Sequence, residues 1–258
     1  MALARVEDKG DRLVVVNMNA SRRGALTPEF YETVMAAMAQ AAEPRIRAVI
    51  ITAEGGFFCA GGDLNVLISR RDLPEMERRE KVDMLHDMIR AIRGCKVPVI
   101  AAVEGGAAGA GASLALACDF IVADEGANFT ASYVKAGLVP DGGLTSALSR
   151  LLPRALAMEM CLLARPVSAA RMAALGAITA AVPAGTADAE AMALADALAK
   201  GPREALGVTR QMVAGAYEAT EAAQLDRERD AMAAAQGGAE AAEGIAAFLE
   251  KRKPDFTK

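Results

Sequence analysis

Few side chains in this sequence stand where chemistry would need them. The segment VEGGAAGAGASLALACD (Val103–Asp119) is built mostly of Gly, Ala and Ser, with no acid, base or thiol between Gly105 and Ser113. A shorter run, FFCAGGDL (Phe57–Leu64), has the same character. Small residues let backbone amides approach a bound oxygen closely, and the start of a helix leaves amides free for an anion. Such turns stabilise charge but move no proton, so a proton carrier must come from elsewhere in the chain. Asp141, in KAGLVPDGG (Lys135–Gly143), is one such acid. On residue chemistry alone it reads as an ordinary turn aspartate, and the two small-residue runs read equally as crowded packing turns.

Other chemistries are excluded by the inventory. The one histidine, His86, leaves no His pair for a metal and makes a Ser-His-Asp triad depend on a single residue. The four cysteines, Cys59, Cys95, Cys118 and Cys161, are far apart and form no CxxC, so they read as small buried hydrophobes. No G-x-G-x-x-G follows a strand, since Leu114 stands where the third glycine would be, and no P-loop signature occurs. The formal net charge of -4 offers no basic footprint for nucleic acid. The uncharged run Gly105–Cys118 is too short and too rich in glycine to cross a membrane. Arg5, Glu7, Asp8, Lys9 and Asp11 precede any apolar run, which argues against a secretory leader and for a cytoplasmic protein.

The elements that must position these turns alternate between strand and helix. LVVVNM (Leu13–Met18), AVIIT (Ala48–Thr52), VPVIAAV (Val97–Val103) and FIVA (Phe120–Ala123) read as strands. Thr27 and Pro28 mark the cap and first position of a helix with Phe30, Val34 and Met38 on one face. A second helix runs from Pro74 to about Arg93 and carries His86. From Ala110 the pattern turns helical, and after Pro140 it is helical almost throughout, over 186–200, 203–217, 220–235 and 239–252. A short strand-like run, Ala177–Val182, and a break at Gly237-Gly238 interrupt it. The fold class is α/β.

Taken together and in order, IRAVIITAEGGFFCAGGDL, KVPVIAAVEGGAAGAGASLALACDFIVA and KAGLVPDGG resemble the crotonase superfamily of enoyl-CoA hydratases and isomerases. GAGASLALACD, GLVPDGG and the ending LDRERD…EGIAAFLEKRKPDF are most similar to the ring-1,2-epoxyphenylacetyl-CoA isomerase group and related enoyl-CoA isomerases. The resemblance implies a crotonase-like spiral of ββα units over residues 1–195 and a helical C-terminal trimerisation region over 196–258. It implies a homotrimer, or a hexamer built as a dimer of trimers, and an acyl-CoA thioester substrate. Coenzyme A is then part of the substrate, and no separate cofactor or metal is implied.

The resemblance also assigns residues. The backbone N–H groups of Gly62 and Ala110 form an oxyanion hole for the thioester, while Asp63 caps the next helix. Hydratases of the family carry two glutamates where this chain has Ser113 and Tyr133, which become pocket residues. Asp141 matches the acidic residue of several isomerases, and one carboxylate suffices to carry a proton between two carbons. Burial against Leu138 and Val139 is expected to raise its pKa. The position of a histidine used by hydrolytic dehalogenases is taken by Arg90, and His86 reads as a partly exposed helix residue. The loop after the first strand, with Ser21, Arg22, Arg23 and Ala25, together with Ala60, would meet the coenzyme A phosphates and adenine. Phe248 and Lys251 would reach the coenzyme A of a neighbouring subunit. The expected activity is an enoyl-CoA isomerase of fatty acid or phenylacetate breakdown, with a hydratase and a non-catalytic scaffold as alternatives.

Overall fold

A computed structural model describes residues 2–256. Strands β1 (Ala4–Asp8) and β2 (Arg12–Asn17) form an antiparallel hairpin at the edge of the main sheet. Helix α1 (Pro28–Gln40) follows; Thr27 accepts from the Phe30 amide as its cap, and Pro28 occupies the first turn. Next come β3 (Ala48–Ala53), α2 (Leu64–Ser69) and α3 (Glu75–Arg93). The following stretch is β4 (Val99–Val103), β5 (Gly106–Ala108), α4 (Ala110–Ala115), β6 (Phe120–Asp124) and β7 (Asn128–Thr130). Then α5 (Leu144–Leu151), α6 (Arg154–Leu163), β8 (Val167–Ser168), α7 (Ala169–Ala174) and β9 (Ala180–Val182) complete the core strands. Helices α8 (Ala187–Ala199), α9 (Arg203–Gly215), α10 (Glu221–Gln236) and α11 (Ala239–Leu249) end the chain.

The main sheet has the order β1-β2-β3-β4-β6-β9, parallel beyond the first hairpin. The smaller sheet has the order β5-β7-β8, and Cys59 adds a bridge to Ala107 at its edge. Each turn of the chain thus passes through a main-sheet strand, then a short small-sheet segment, then helix: β3, Phe58–Cys59, α2; β4, β5, α4; β6, β7, and the 3-10 turn 132–136. This is the expected spiral of ββα units. Parallel strands covered on both faces need apolar residues at successive positions, and β2, β4 and most of β3 are buried along their length. One face of the main sheet packs on α1 and α3 around Phe30, Phe58, Met88 and Ile92. The other face is closed by α8, whose Ala187, Ala191 and Ala195 lie four residues apart and let the helix approach Val14, Ile50, Ile100 and Val122.

Three arginines hold the later helices to the core. Arg210 of α9 donates to the carbonyls of Ile92, Arg93 and Cys95 and pairs with Asp119. Arg203 donates to the carbonyls of Ala41, Ala42, Glu43 and Ile46, and Arg12 reaches Met192 and Asp196. The sheet-packed helix α8 crosses the expected 195/196 boundary; Met1 and residues 257–258 lie outside the described residues.

The structure refines several sequence expectations. The strand at Val97 begins only at Val99, and the run from Ala177 pairs only over Ala180–Val182. The helix at 203–217 ends at Gly215 before a 3-10 turn, and the last helix ends at Leu249 with Lys251 in a left-handed conformation. Gly237-Gly238 does separate two helices. Cys59, Cys95 and Cys118 are buried, while Cys161 is only half-buried.

Candidate active site

The site begins with a loop stitched to a turn. After β2, the buried Asn17 and Asn19 donate their side-chain amides to the carbonyls of Gly24 and Ala25, each at 2.8 Å. The loop then bonds to the first glycine turn: Ala60 N–H donates to Arg23 O at 2.9 Å and Leu26 N–H to Gly61 O at 2.8 Å. Arg23, Ala25 and Ala60, expected at one binding surface, are therefore neighbours. Arg22 forms an ion pair with Asp63, and the Arg23 guanidinium lies over the Phe57 ring at 3.9 Å. Asp63 caps α2 by accepting from Asn65 N–H at 2.9 Å. That bond is the first cause of its lowered pKa, with Arg22 also contributing.

The two small-residue turns touch. Gly61 has φ +92°, and a methyl group there would lie 2.7 Å from the Ala108 carbonyl and 3.1 Å from the Ala110 nitrogen. Only glycine allows this approach. It places the first turn directly beside the start of α4. Among the described residues, neither the Gly62 nor the Ala110 amide donates to a protein acceptor. Two free backbone donors on adjoining turns can stabilise a developing oxyanion.

The side chains nearest these turns form a hydroxyl–carboxylate cluster. Tyr133 Oη donates to Asp141 Oδ1 at 2.7 Å, and Ser113 Oγ donates to the Asp141 carbonyl at 2.9 Å. Ser113 Oγ and Tyr133 Oη are 3.2 Å apart. Gly142, at φ +60°, permits this packing, because a methyl there would meet Ser113 Cβ at 2.7 Å. Counting hydrogens shows what the cluster favours. With Asp141 ionised, two hydroxyl protons serve three contacts; with Asp141 protonated, three protons serve all three. The cluster can therefore hold Asp141 in either state and completes itself when Asp141 gains a proton.

Burial raises the Asp141 pKa; the Tyr133 hydrogen bond and the positive field of His86 act the other way. The cause of that burial differs from expectation. Leu138 and Val139 are 43% and 80% exposed, whereas Leu85 lies on the Gly142 turn, 3.4 Å from where a Gly142 methyl would be. His86, on α3, is thus an electrostatic neighbour of Asp141 and more than a surface residue. Arg90 is paired with Asp87 on the exposed side of the same helix. Tyr133 is buried and its phenol pKa is raised, first by desolvation and then by the Asp141 charge.

Two further residues lie around the site. Tyr31, on α1, is half-buried, and desolvation pushes its phenol pKa up to about 12. Glu104 is taken up by capping: its carboxylate accepts from Gly185 N–H at 3.0 Å and Ala187 N–H at 2.8 Å at the start of α8. Phe248 is 83% exposed at the end of α11. Lys251, two residues past the end of that helix, is exposed as well. A cleft of about 630 Å³ lies between α5 and α9 around Arg150, Arg210 and Tyr217. It includes neither Asp141 nor the oxyanion turns.

Comparison with known proteins shows the family and the fold. The enoyl-CoA hydratase/isomerase family model matches residues 8–258. The 1,2-epoxyphenylacetyl-CoA isomerase of Escherichia coli is 39% identical over 213 residues, 82% of this chain and 81% of the relative. The 2,3-dehydroadipyl-CoA hydratase of the same organism is 31% identical over 248 residues, covering 95% and 94%. The crystal structure of an enoyl-CoA hydratase from Polaromonas sp. JS666 superposes with a TM-score of 0.94 at 42% identity, covering 98% of each chain. A crotonase fold, adjoining amide turns and a single carboxylate cluster therefore occur in a chain that belongs to the enoyl-CoA hydratase/isomerase family.

Proposed function

We propose that this enzyme is an enoyl-CoA isomerase working through one carboxylate. The observation that carries the reading is the Asp141 cluster, in which a single aspartate is bonded by the hydroxyls of Ser113 and Tyr133, the two residues that the family resemblance aligns with the glutamates of hydratases. The thioester oxygen accepts hydrogen bonds from the Gly62 and Ala110 amides. Asp141 removes a proton from the α-carbon of a 3-enoyl thioester; the C–H pair enters a dienolate whose charge rests on that oxygen. The protonated Asp141, held by Tyr133, returns the proton to the γ-carbon, and the double bond moves into conjugation. No atom is gained or lost. A ring rearrangement of an aromatic epoxide thioester fits the same oxyanion chemistry, and the Escherichia coli isomerase supports it as a substrate class.

Arg22, Arg23, Ala25 and Ala60 then border the coenzyme A, with Ser21 beside them and Phe248 and Lys251 supplied by a neighbouring copy in a trimer or hexamer. Apolar residues left exposed on the later helices, among them Val213, Leu225 and Ile245, support such an assembly. Among the described residues no helix is long and apolar enough to cross a membrane, and a cytoplasmic role in fatty acid or phenylacetate breakdown suits the reading.

The hydratase reading draws on the relatives that carry that name. It requires Asp141 alone to activate water. A panel of 3-enoyl-CoA, 2-enoyl-CoA and aromatic epoxide CoA thioesters, read by product mass and absorbance, separates the two. Conversion without mass change supports isomerisation; a gain of one water on 2-enoyl-CoA, with 3-enoyl-CoA inert, overturns it.

A further inference from the structure

Tyr133 touches both halves of the site. Its phenol carbon Cζ lies 4.0 Å from where a methyl on Gly109 would be, and Gly109 immediately precedes the Ala110 amide. Its Oη donates to Asp141 Oδ1 at 2.7 Å. The buried ring therefore spans from the oxyanion turn to the carboxylate. The 3-10 turn that carries it closes at Gly137, and the Leu138 amide donates back to the Tyr133 carbonyl at 3.1 Å before the chain runs on to Asp141. Desolvation first, and then the Asp141 charge, raise the phenol pKa, so the hydroxyl keeps its proton and stays a donor. The two carboxylate oxygens of Asp141 are thus unequal. Oδ1 is taken by Tyr133, whereas Oδ2 accepts no hydrogen bond among the described residues and is reached by solvent.

We infer that Tyr133 is the positioning residue of the proton transfer: by holding Oδ1 it leaves Oδ2 as the one atom that takes and returns the substrate proton, in a geometry that the same ring ties to the oxyanion turn. This rests on the isomerase reading of Asp141 and adds a division of roles between the two oxygens. The proton passes from the α-carbon to Oδ2 and from Oδ2 to the γ-carbon, and Tyr133 keeps its own throughout. An aspartate carboxylate turns readily about its last torsion, and a charge-assisted hydrogen bond fixes it. Ser113 acts on Tyr133 Oη, at 3.2 Å, and on the Asp141 backbone carbonyl, not on the carboxylate. Of the other groups around Asp141, His86 on α3 lends a positive field that ranks behind the Tyr133 bond in opposing the effect of burial. Tyr31 on α1 stays a neutral phenol, pushed up to about 12 by desolvation, and Arg93, at the end of α3, lies against Gly143.

Tyr133→Phe removes the hydroxyl and keeps the ring on Gly109. The base works only when ionised, so losing a donor to the carboxylate raises its pKa and moves the acid limb of the kcat profile to higher pH, by about one unit. Above that limb kcat on 3-enoyl-CoA should stay about tenfold below wild type, with KM within about threefold, because the carboxylate is ionised but free to turn. The Asp141 carboxyl titration, followed by carbon-13 NMR in the unliganded protein and assigned by its absence in Asp141→Asn, should move upward by the same amount. Replacing Tyr133 by a fluorotyrosine, a stronger donor of nearly the same shape, should move both to lower pH, and this protein decides the matter if the Phe variant does not fold. A limb and a carboxyl titration that stay in place overturn the inference, as does a plateau kcat in Tyr133→Phe equal to that of wild type. If the wild type neither isomerises nor exchanges protons on any acyl-CoA thioester, the proposed function fails and this inference with it; wild-type isomerisation with unmoved titrations removes only the role of Tyr133.

Discussion

Replacing Asp141 by Asn tests the proton step with little disturbance around it. The Asn Oδ1 still accepts from Tyr133 at the 2.7 Å site, and the Ser113 bond is to the backbone carbonyl of residue 141, which the change leaves in place. The amides of Gly62 and Ala110 are untouched, so thioester affinity should stay within about threefold. What disappears is the base. A general acid–base group contributes roughly 10²–10⁴-fold, which at 1.36 kcal/mol per decade is about 2.7–5.4 kcal/mol of barrier. Isomerisation, and exchange of the substrate α- and γ-protons with deuterated water, should fall together by at least ~10². Stability gives an independent check. Burial raises the folded-state pKa of Asp141 above its unfolded value. Between those two values the folded chain binds the extra proton, so the contribution of Asp141 is fully present below the ordinary carboxylate range and is lost as pH rises through the raised value. Asn carries no such titration. The melting temperature of Asp141→Asn relative to wild type should therefore increase as pH rises from about 4 toward neutrality. Turnover within tenfold of wild type would refute the assignment of the base; a melting difference that shrinks with pH would refute its burial.

Further expectations follow from the turns and caps. Gly62→Val should leave the fold intact, since a Cβ at Gly62 meets only Leu67 at 3.4 Å, yet should abolish thioester turnover; activity within a few-fold would sink the oxyanion assignment. Gly61→Ala, with its methyl 2.7 Å from the Ala108 carbonyl, should lower stability by about 2–3 kcal/mol in denaturant unfolding. Glu104→Ala should cost about 1–2 kcal/mol through the lost α8 cap while the Asp141-dependent exchange persists; loss of exchange in a folded variant would make Glu104 part of the proton path. Light scattering at micromolar concentration should give a trimer or hexamer, and a monomer would leave Phe248 and Lys251 without a role at the site.

Much of this protein is determined by local patterns. The Thr27–Pro28 start of α1, the apolar runs of the parallel strands and the Asp63 cap follow from contacts within a few residues, and all were readable in the chain. So was the order of the small-residue turns and the position of Asp141 after GLVP, because a motif keeps its spacing whatever surrounds it. The short strands β5, β7 and β8, of two or three residues, carry no periodicity of their own and exist only because neighbours supply their partners. Tertiary packing alone decides the environment of each functional group. It brings Ser113, Tyr133 and Asp141 together from three segments, and leaves Leu138 and Val139 in solvent while Leu85 covers the turn. It assigns Glu104 to capping α8 from 81 and 83 residues away. Desolvation and hydrogen bonding depend on which surfaces meet, and that depends on how the whole chain closes rather than on any window of residues along it.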